Sequence, residues 1–190
     1  MMTLYGSMPS PYARRLRLLM AEMDYEFVIV DVYASEDRAM LIKQNPTLKI
    51  PMLDDDGLVV FDSRMIFQYL VDKKRACPLD FAQQNLLTSI DSANDSLVNL
   101  FLLRLSKVNI EQDALYFRLQ NERIEAVLKH LEEVIESNAF AKWNFLGMSL
   151  FAMLDWIKFR ELYDLTAYPK LLAYHHAQTS RQECIDSDPR

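Results

Sequence analysis

Glycine is scarce, with three in 190 residues, at Gly6, Gly57 and Gly147. Loops that cradle phosphate or raise a nucleophile need glycines at fixed spacing, because other residues pay a steric cost in tight backbone turns. These three lie far apart, so no G-x-G-x-x-G loop, Walker A loop or G-x-S-x-G elbow can be written. The two cysteines, Cys77 and Cys184, have no C-x-x-C partner, which excludes a zinc ribbon or a dithiol redox site built on close spacing. His130, His175 and His176 do not form H-E-x-x-H. On a helix of ~3.6 residues per turn, the adjacent pair would point ~100° apart, and no metal is expected. Basic charge is also short: 21 Lys and Arg against 27 Asp and Glu leave a net charge of −6. That balance gives no phosphate-holding footprint, so no direct nucleic-acid partner is expected. The longest apolar runs, such as residues 100–103, stop far short of the ~20 residues a membrane helix requires. Residues 1–6 carry no basic and apolar signal-peptide pattern, and a reducing cytoplasm is the expected setting.

What is present is an ordinary globular composition, 51% hydrophobic and 25% charged, long enough for one domain or two small ones. Thr3–Tyr5 predicts a short strand, and the turn through Pro9 and Pro11 opens a helix running to about Met23, with Pro11 suited to its first turn. In that helix Leu16, Leu19 and Met20 recur at helical spacing, with Arg14, Arg15 and Arg17 between them. Phe27–Val32 is continuous and β-branched, the pattern of a strand buried on both faces. Ser35–Gln44 reads as a helix stopped by Asn45-Pro46. Pro51–Leu53 and Leu58–Phe61 flank Asp54-Asp55-Asp56-Gly57, a hairpin signal, and Asp62-Ser63 caps a helix with Met65, Ile66, Tyr69 and Leu70 on one stripe. After Cys77-Pro78 the pattern is helical. Leu86, Ile90, Ala93, Leu97 and Phe101 mark one long helix, and Ile124, Leu128, Leu131 and Ile135 mark another. Tyr168-Pro169 precedes a last helix to about Gln178. The expected fold class is α/β plus all-α, with domains at 1–75 and 79–190.

Four blocks in this order resemble the glutathione S-transferase family. They are Leu4-Tyr5-Gly6-Ser7 with Ser10-Pro11-Tyr12 and Arg14; Asn45-Pro46 with Lys49-Ile50-Pro51; Asp62-Ser63 with Ile66 and Tyr69-Leu70; and Trp156, Phe159-Arg160, Tyr168-Pro169 and Asp188-Pro189-Arg190. The resemblance implies a thioredoxin-like N-terminal domain joined to a helical C-terminal one, with glutathione as co-substrate, transferred to a small hydrophobic electrophile or used to reduce it. Glutathione brings two carboxylates, an ammonium and a thiol that reacts as thiolate, so its site must bind anions and stabilise charge on sulfur. Ser63 at a helix N-terminus suits a carboxylate, and the same position suits a plain N-cap. Asp62 suits the γ-glutamyl ammonium. The resemblance makes Pro51 cis, with the backbone at Ile50 facing the cysteinyl unit, and gives Lys49 and Gln44 to the glycyl carboxylate. For the thiolate the candidates are Ser10, then Tyr5, then Ser7. With serine rather than cysteine at position 10, omega-type thiol transfer is disfavoured.

Met8, Tyr12, Phe101, Arg104 and Leu105 are the candidate walls of the second-substrate pocket, expected between the domains. Most relatives start the core helix of the second domain with Ser or Thr followed three residues later by Asp; here Asn144 and Ser149 are the candidate caps, and neither is followed by the acid. The resemblance also implies a homodimer. An alternative resemblance, carried by Asp62-Ser63-Arg64 with Ile66 and Tyr69-Leu70, is to the stringent starvation protein A group, which would make the chain a non-catalytic module associating with RNA polymerase. A shared fold does not choose between the two.

Overall fold

The computed structural model describes residues 1–34 and 36–190 in full, and Ser35 only by its place at the start of a helix. The chain divides into two compact units, Met1–Pro78 with Ser180–Arg190, and Leu79–Thr179.

The first unit holds strands β1 (Met2–Gly6), β2 (Tyr25–Ile29), β3 (Met52–Asp55) and β4 (Leu58–Phe61), with helices α1 (Pro11–Leu19), α2 (Ser35–Gln44) and α3 (Ser63–Asp72). The sheet order is β2-β1-β3-β4, with β1 parallel to β2 and antiparallel to β3. This mixed sheet with its helices is a thioredoxin-like arrangement. Period-2 alternation buries Met2, Leu4 and Gly6 on one face of β1 and leaves Thr3 and Tyr5 half-buried on the other. At Gly6 an added Cβ would sit 2.8 Å from the Ala13 Cβ and 3.2 Å from the Phe27 ring, so α1 and β2 pack against β1 only over a bare backbone. The hairpin turns through Asp56 and Gly57, both at positive φ, with Asp54 Oδ1 accepting from Gly57 N at 2.7 Å.

Two expectations change here. The strand expected at 27–32 lies at 25–29 and forms the sheet edge, so Ile29 is 61% exposed and only Val30, just past its end, is buried. Helix α1 ends at Leu19, where Met20 closes it through a bond to Leu16 O, and not near Met23. Arg14 and Arg15, which lie between the helix's leucines in sequence, are both buried.

The second unit contains α4 (Phe81–Leu105), α5 (Leu115–Val134), a 3-10 turn (Asn138–Phe140), α6 (Phe145–Arg160) and α7 (Pro169–Gln178). Asp80 and Gln83 form a reciprocal capping box at the start of α4. Residues 145–157 of α6 are all buried, which makes it the core of the unit. Asn144 caps it through Oδ1, accepting from Leu146 N at 3.1 Å and Gly147 N at 3.3 Å, so the helix start is tied down without the acid. Ser149 lies inside the helix, donating to Phe145 O. Within this core Asp155 and His175 meet at 2.8 Å, and the imidazole stacks on Phe151 at 5.1 Å.

The helix to Gln178 is not the last. A short α8 (Gln182–Asp186) follows, and the segment 180–190, expected with the helical domain, packs with the first unit. Arg14 donates to Ser187 Oγ and Cys184 O, and Arg17 donates to Asp186 O and Ser187 O. Carbonyls at a helix C-terminus lack intrahelical partners, and cations there are favoured.

Candidate functional site

The strand register gathers the candidate residues at one end of the sheet. Tyr5, near the end of β1, pairs with Met52, the start of β3, and Met52 pairs with Phe61, the end of β4. The segments just beyond these three residues therefore leave the sheet together: the 7–10 turn, Lys49-Ile50-Pro51, and Asp62-Ser63. Helices α1 and α3 both begin here. The dipoles of two helix N-termini make this end of the sheet favourable to anions.

Ser10 is the N-cap of α1. Its Oγ accepts from Ala13 N at 3.2 Å, and its own N donates to Ser7 O at 3.1 Å. The hydroxyl proton is left for another acceptor. Tyr5 is half-buried on β1, and its phenol makes no hydrogen bond among the described residues.

The α3 start differs from the sequence reading. The cap is Asp62, held at φ 75°, with Oδ1 accepting from Arg64 N at 2.8 Å. Its other carboxylate oxygen has no partner among the described residues, and the side chain is exposed. Ser63 is the first helical residue and is buried. Its Oγ accepts from Arg15 Nη2 at 2.6 Å and Nε at 3.2 Å. Arg15 thus sets a positive charge beside the α3 N-terminus and leaves the Ser63 hydroxyl a proton to donate. Sequence reasoning missed Arg15, whose partner lies 48 residues away; three arginines in four positions of a helix opening on proline were the visible signal.

The 45–49 loop is fixed by Asn45, itself 1% exposed. Its amide donates to Lys49 O at 2.8 Å and its Oδ1 accepts from Thr47 N and Oγ1, while Leu48 takes φ 55°. The Ile50–Pro51 bond that follows is cis. Lys49 and Gln44 are exposed, with side chains that make no hydrogen bond or ion pair among the described residues.

The candidate wall residues divide between the units. Met8 Sδ accepts from Arg17 Nη1 at 3.3 Å, and Tyr12 lies 5.2 Å from the Arg15 guanidinium. In the second unit Phe101 meets Trp156 edge-on at 5.5 Å, while Arg104 and Leu105 are exposed. No group of three or more His, Cys, Asp and Glu residues suited to a metal occurs among the described residues, nor a helix long and apolar enough to cross a membrane.

Residues 1–72 match the family model described as glutathione S-transferase, N-terminal domain. Among curated relatives, glutathione S-transferase hmp2 of Hypomyces subiculosus is 37% identical over 71 residues, covering 37% of this chain and 34% of that protein. A stringent starvation protein A homolog of Coxiella burnetii is 36% identical over 78 residues, 41% of this chain and 37% of that one. The matched segment thus spans about a third of the length of each of these relatives. Structures agree over the whole chain. A glutathione S-transferase of Methylobacillus flagellatus with glutathione bound superposes with TM-score 0.85 at 24% identity, covering 100% of both chains. A glutathione transferase family member of Pseudomonas fluorescens Pf-5, also with bound glutathione, gives the same TM-score, identity and coverage. The chain therefore matches the glutathione S-transferase N-terminal domain family over residues 1–72, and along its full length it has the glutathione S-transferase fold.

Proposed function

We propose that the protein binds glutathione at the end of the sheet where α1 and α3 begin, and transfers it to small hydrophobic electrophiles. The convergence of the 7–10 turn, Pro51 and Asp62-Ser63 through the Tyr5–Met52–Phe61 register carries the reading. The relatives and neighbours named for this activity support it. The γ-glutamyl carboxylate takes the α3 N–H groups and the Ser63 hydroxyl, with Arg15 strengthening the field. Asp62 takes the ammonium with its unengaged oxygen. The backbone at Ile50 and Pro51 receives the cysteinyl unit, and Lys49, with Gln44, takes the glycyl carboxylate.

Ser10 handles sulfur. Its Oγ is held by Ala13 N, so its proton is available to a thiolate at the start of α1, and a bond stronger to thiolate than to thiol lowers the thiol pKa. Tyr5 is the competing donor. The protein works as a cytoplasmic homodimer in detoxification.

A second reading, a module that binds RNA polymerase without catalysis, is favoured by the stringent starvation protein A homologs that match the same N-terminal segment. Calorimetric titration with glutathione, followed by turnover of 1-chloro-2,4-dinitrobenzene, separates the two. Binding with turnover supports the transferase; absence of binding removes it and leaves the module.

A further inference from the structure

Two arginines of the second unit converge on one aromatic ring. The Arg160 guanidinium lies 5.4 Å from the centre of Phe101 and 4.5 Å from that of Phe159, and the Arg104 guanidinium lies 5.8 Å from Phe101. Neither arginine has a carboxylate within ion-pairing distance among the described residues, although acidic side chains outnumber basic ones in the chain. Arg104 spends one N–H donor on Arg160 O, 3.3 Å away at the end of α6; an arginine has five. Arg160 makes no hydrogen bond among the described residues, and its Nε is sealed from water without a partner. The α6 C-terminus explains why a cation is tolerated here. It does not explain two, each held over an aromatic ring, with most of their donors unspent.

We infer that Arg104 and Arg160 form a binding pair for the carboxylate of a small aromatic or otherwise flat unsaturated acid. Guanidinium groups match carboxylate geometry through paired N–H donors, and a ring that already carries a cation on its face orients that fork. Phe101, set edge-on to Trp156 at 5.5 Å, supplies the apolar surface for the flat body of the acid. Identifying this acid as the second substrate rests on the transferase reading; the anion preference does not. Under that reading the electrophile carries a carboxylate, and Arg160 joins Phe101 and Arg104 as a specificity residue.

The test titrates the whole protein by calorimetry with two unreactive probes, 3,5-dinitrobenzoate and 1,3-dinitrobenzene, which differ by the carboxylate. The benzoate is expected to bind about tenfold or more tighter, as one charge-assisted contact supplies. Half-molar sodium chloride should shrink that ratio. Arg160→Gln and Arg104→Gln, verified as folded by circular dichroism, should each bring it towards one. Equal affinities, no binding of either probe, or a folded variant that keeps the full ratio would overturn the inference. If one variant does not fold, the other variant and the salt series decide. Glutathione melts run in parallel keep the two readings apart. An anion preference without a glutathione shift supports the arginine pair and removes the transferase, whereas a glutathione shift without the preference removes the arginine pair alone.

Discussion

Arg15 of α1 grips Ser63 of α3 through two of its nitrogens, Nη2 at 2.6 Å and Nε at 3.2 Å, with both residues buried. The helix that carries the sulfur candidate is thereby tied to the helix that carries the proposed carboxylate site. Ser63→Ala leaves the α3 cap in place, because Asp62 supplies it, and strands buried guanidinium donors. A stranded buried donor costs ~1–3 kcal/mol, whereas an exposed cap is worth ~1 kcal/mol. Urea unfolding of Ser63→Ala should therefore show the larger loss of stability, and Asp62→Ala the smaller. A reversed order would show that the cap outweighs the buried bond.

Glutathione should reverse that ranking. A ligand at ~100 times its Kd stabilises the folded state by ~2.7 kcal/mol, which a thermal melt reads as several degrees. Asp62→Ala removes the proposed partner of the ammonium, while Ser63→Ala keeps the α3 N–H groups. The glutathione-induced rise in Tm should be smaller in Asp62→Ala than in Ser63→Ala. An unchanged rise in Asp62→Ala would remove the ammonium assignment.

Ser10→Ala should lower kcat for conjugation while leaving glutathione affinity within a few fold, because the proposed γ-glutamyl contacts lie elsewhere. Loss of a charge-assisted bond of ~1.5–3 kcal/mol to the thiolate corresponds to a ~10–100-fold fall. The pH-rate profile should shift to higher pH as the thiol loses its stabiliser. Should Tyr5→Phe show this behaviour and Ser10→Ala not, the thiolate belongs to Tyr5.

A pH dependence follows from Tyr69, whose hydroxyl donates to Asp55 Oδ2 at 2.6 Å. That bond, then Lys73, holds the Asp55 carboxyl below its ordinary value, and the same bond lifts the Tyr69 phenol. A depressed carboxyl stabilises the fold above its unfolded pKa, and the contribution fades as pH falls through the lower folded value. A raised phenol stabilises below its unfolded pKa and loses that contribution as pH rises through the folded one. Tyr69→Phe should therefore flatten the fall in stability below about pH 4. It should also remove part of the fall above about pH 10. Denaturant midpoints across pH check both limbs, and parallel curves for the two proteins would refute the coupling.

Local signals were legible where the chemistry was local. Pro11, Asn45-Pro46, the Asp54–Gly57 turn and the apolar stripes of α4 and α5 each mark a boundary or a face within a few residues. Two things were hidden. The edge position of β2 depends on sheet order, and a continuous apolar run is the same in an edge strand as in a central one. The burial of Arg14 and Arg15 depends on partners 48 to 173 residues away. A helical repeat of leucine and arginine reads as amphipathic unless those partners are known. The α3 start was legible to within one residue, and that residue changed which side chain caps and which is gripped.

The return of residues 180–190 to the first unit makes residues 79–179 an insertion within it. During synthesis, the guanidinium of Arg14 waits for Cys184 and Ser187, so more than a hundred residues must follow the sheet off the ribosome before α1 acquires these neighbours. The helical unit has all of its residues available first, and the unit that starts the chain is completed last.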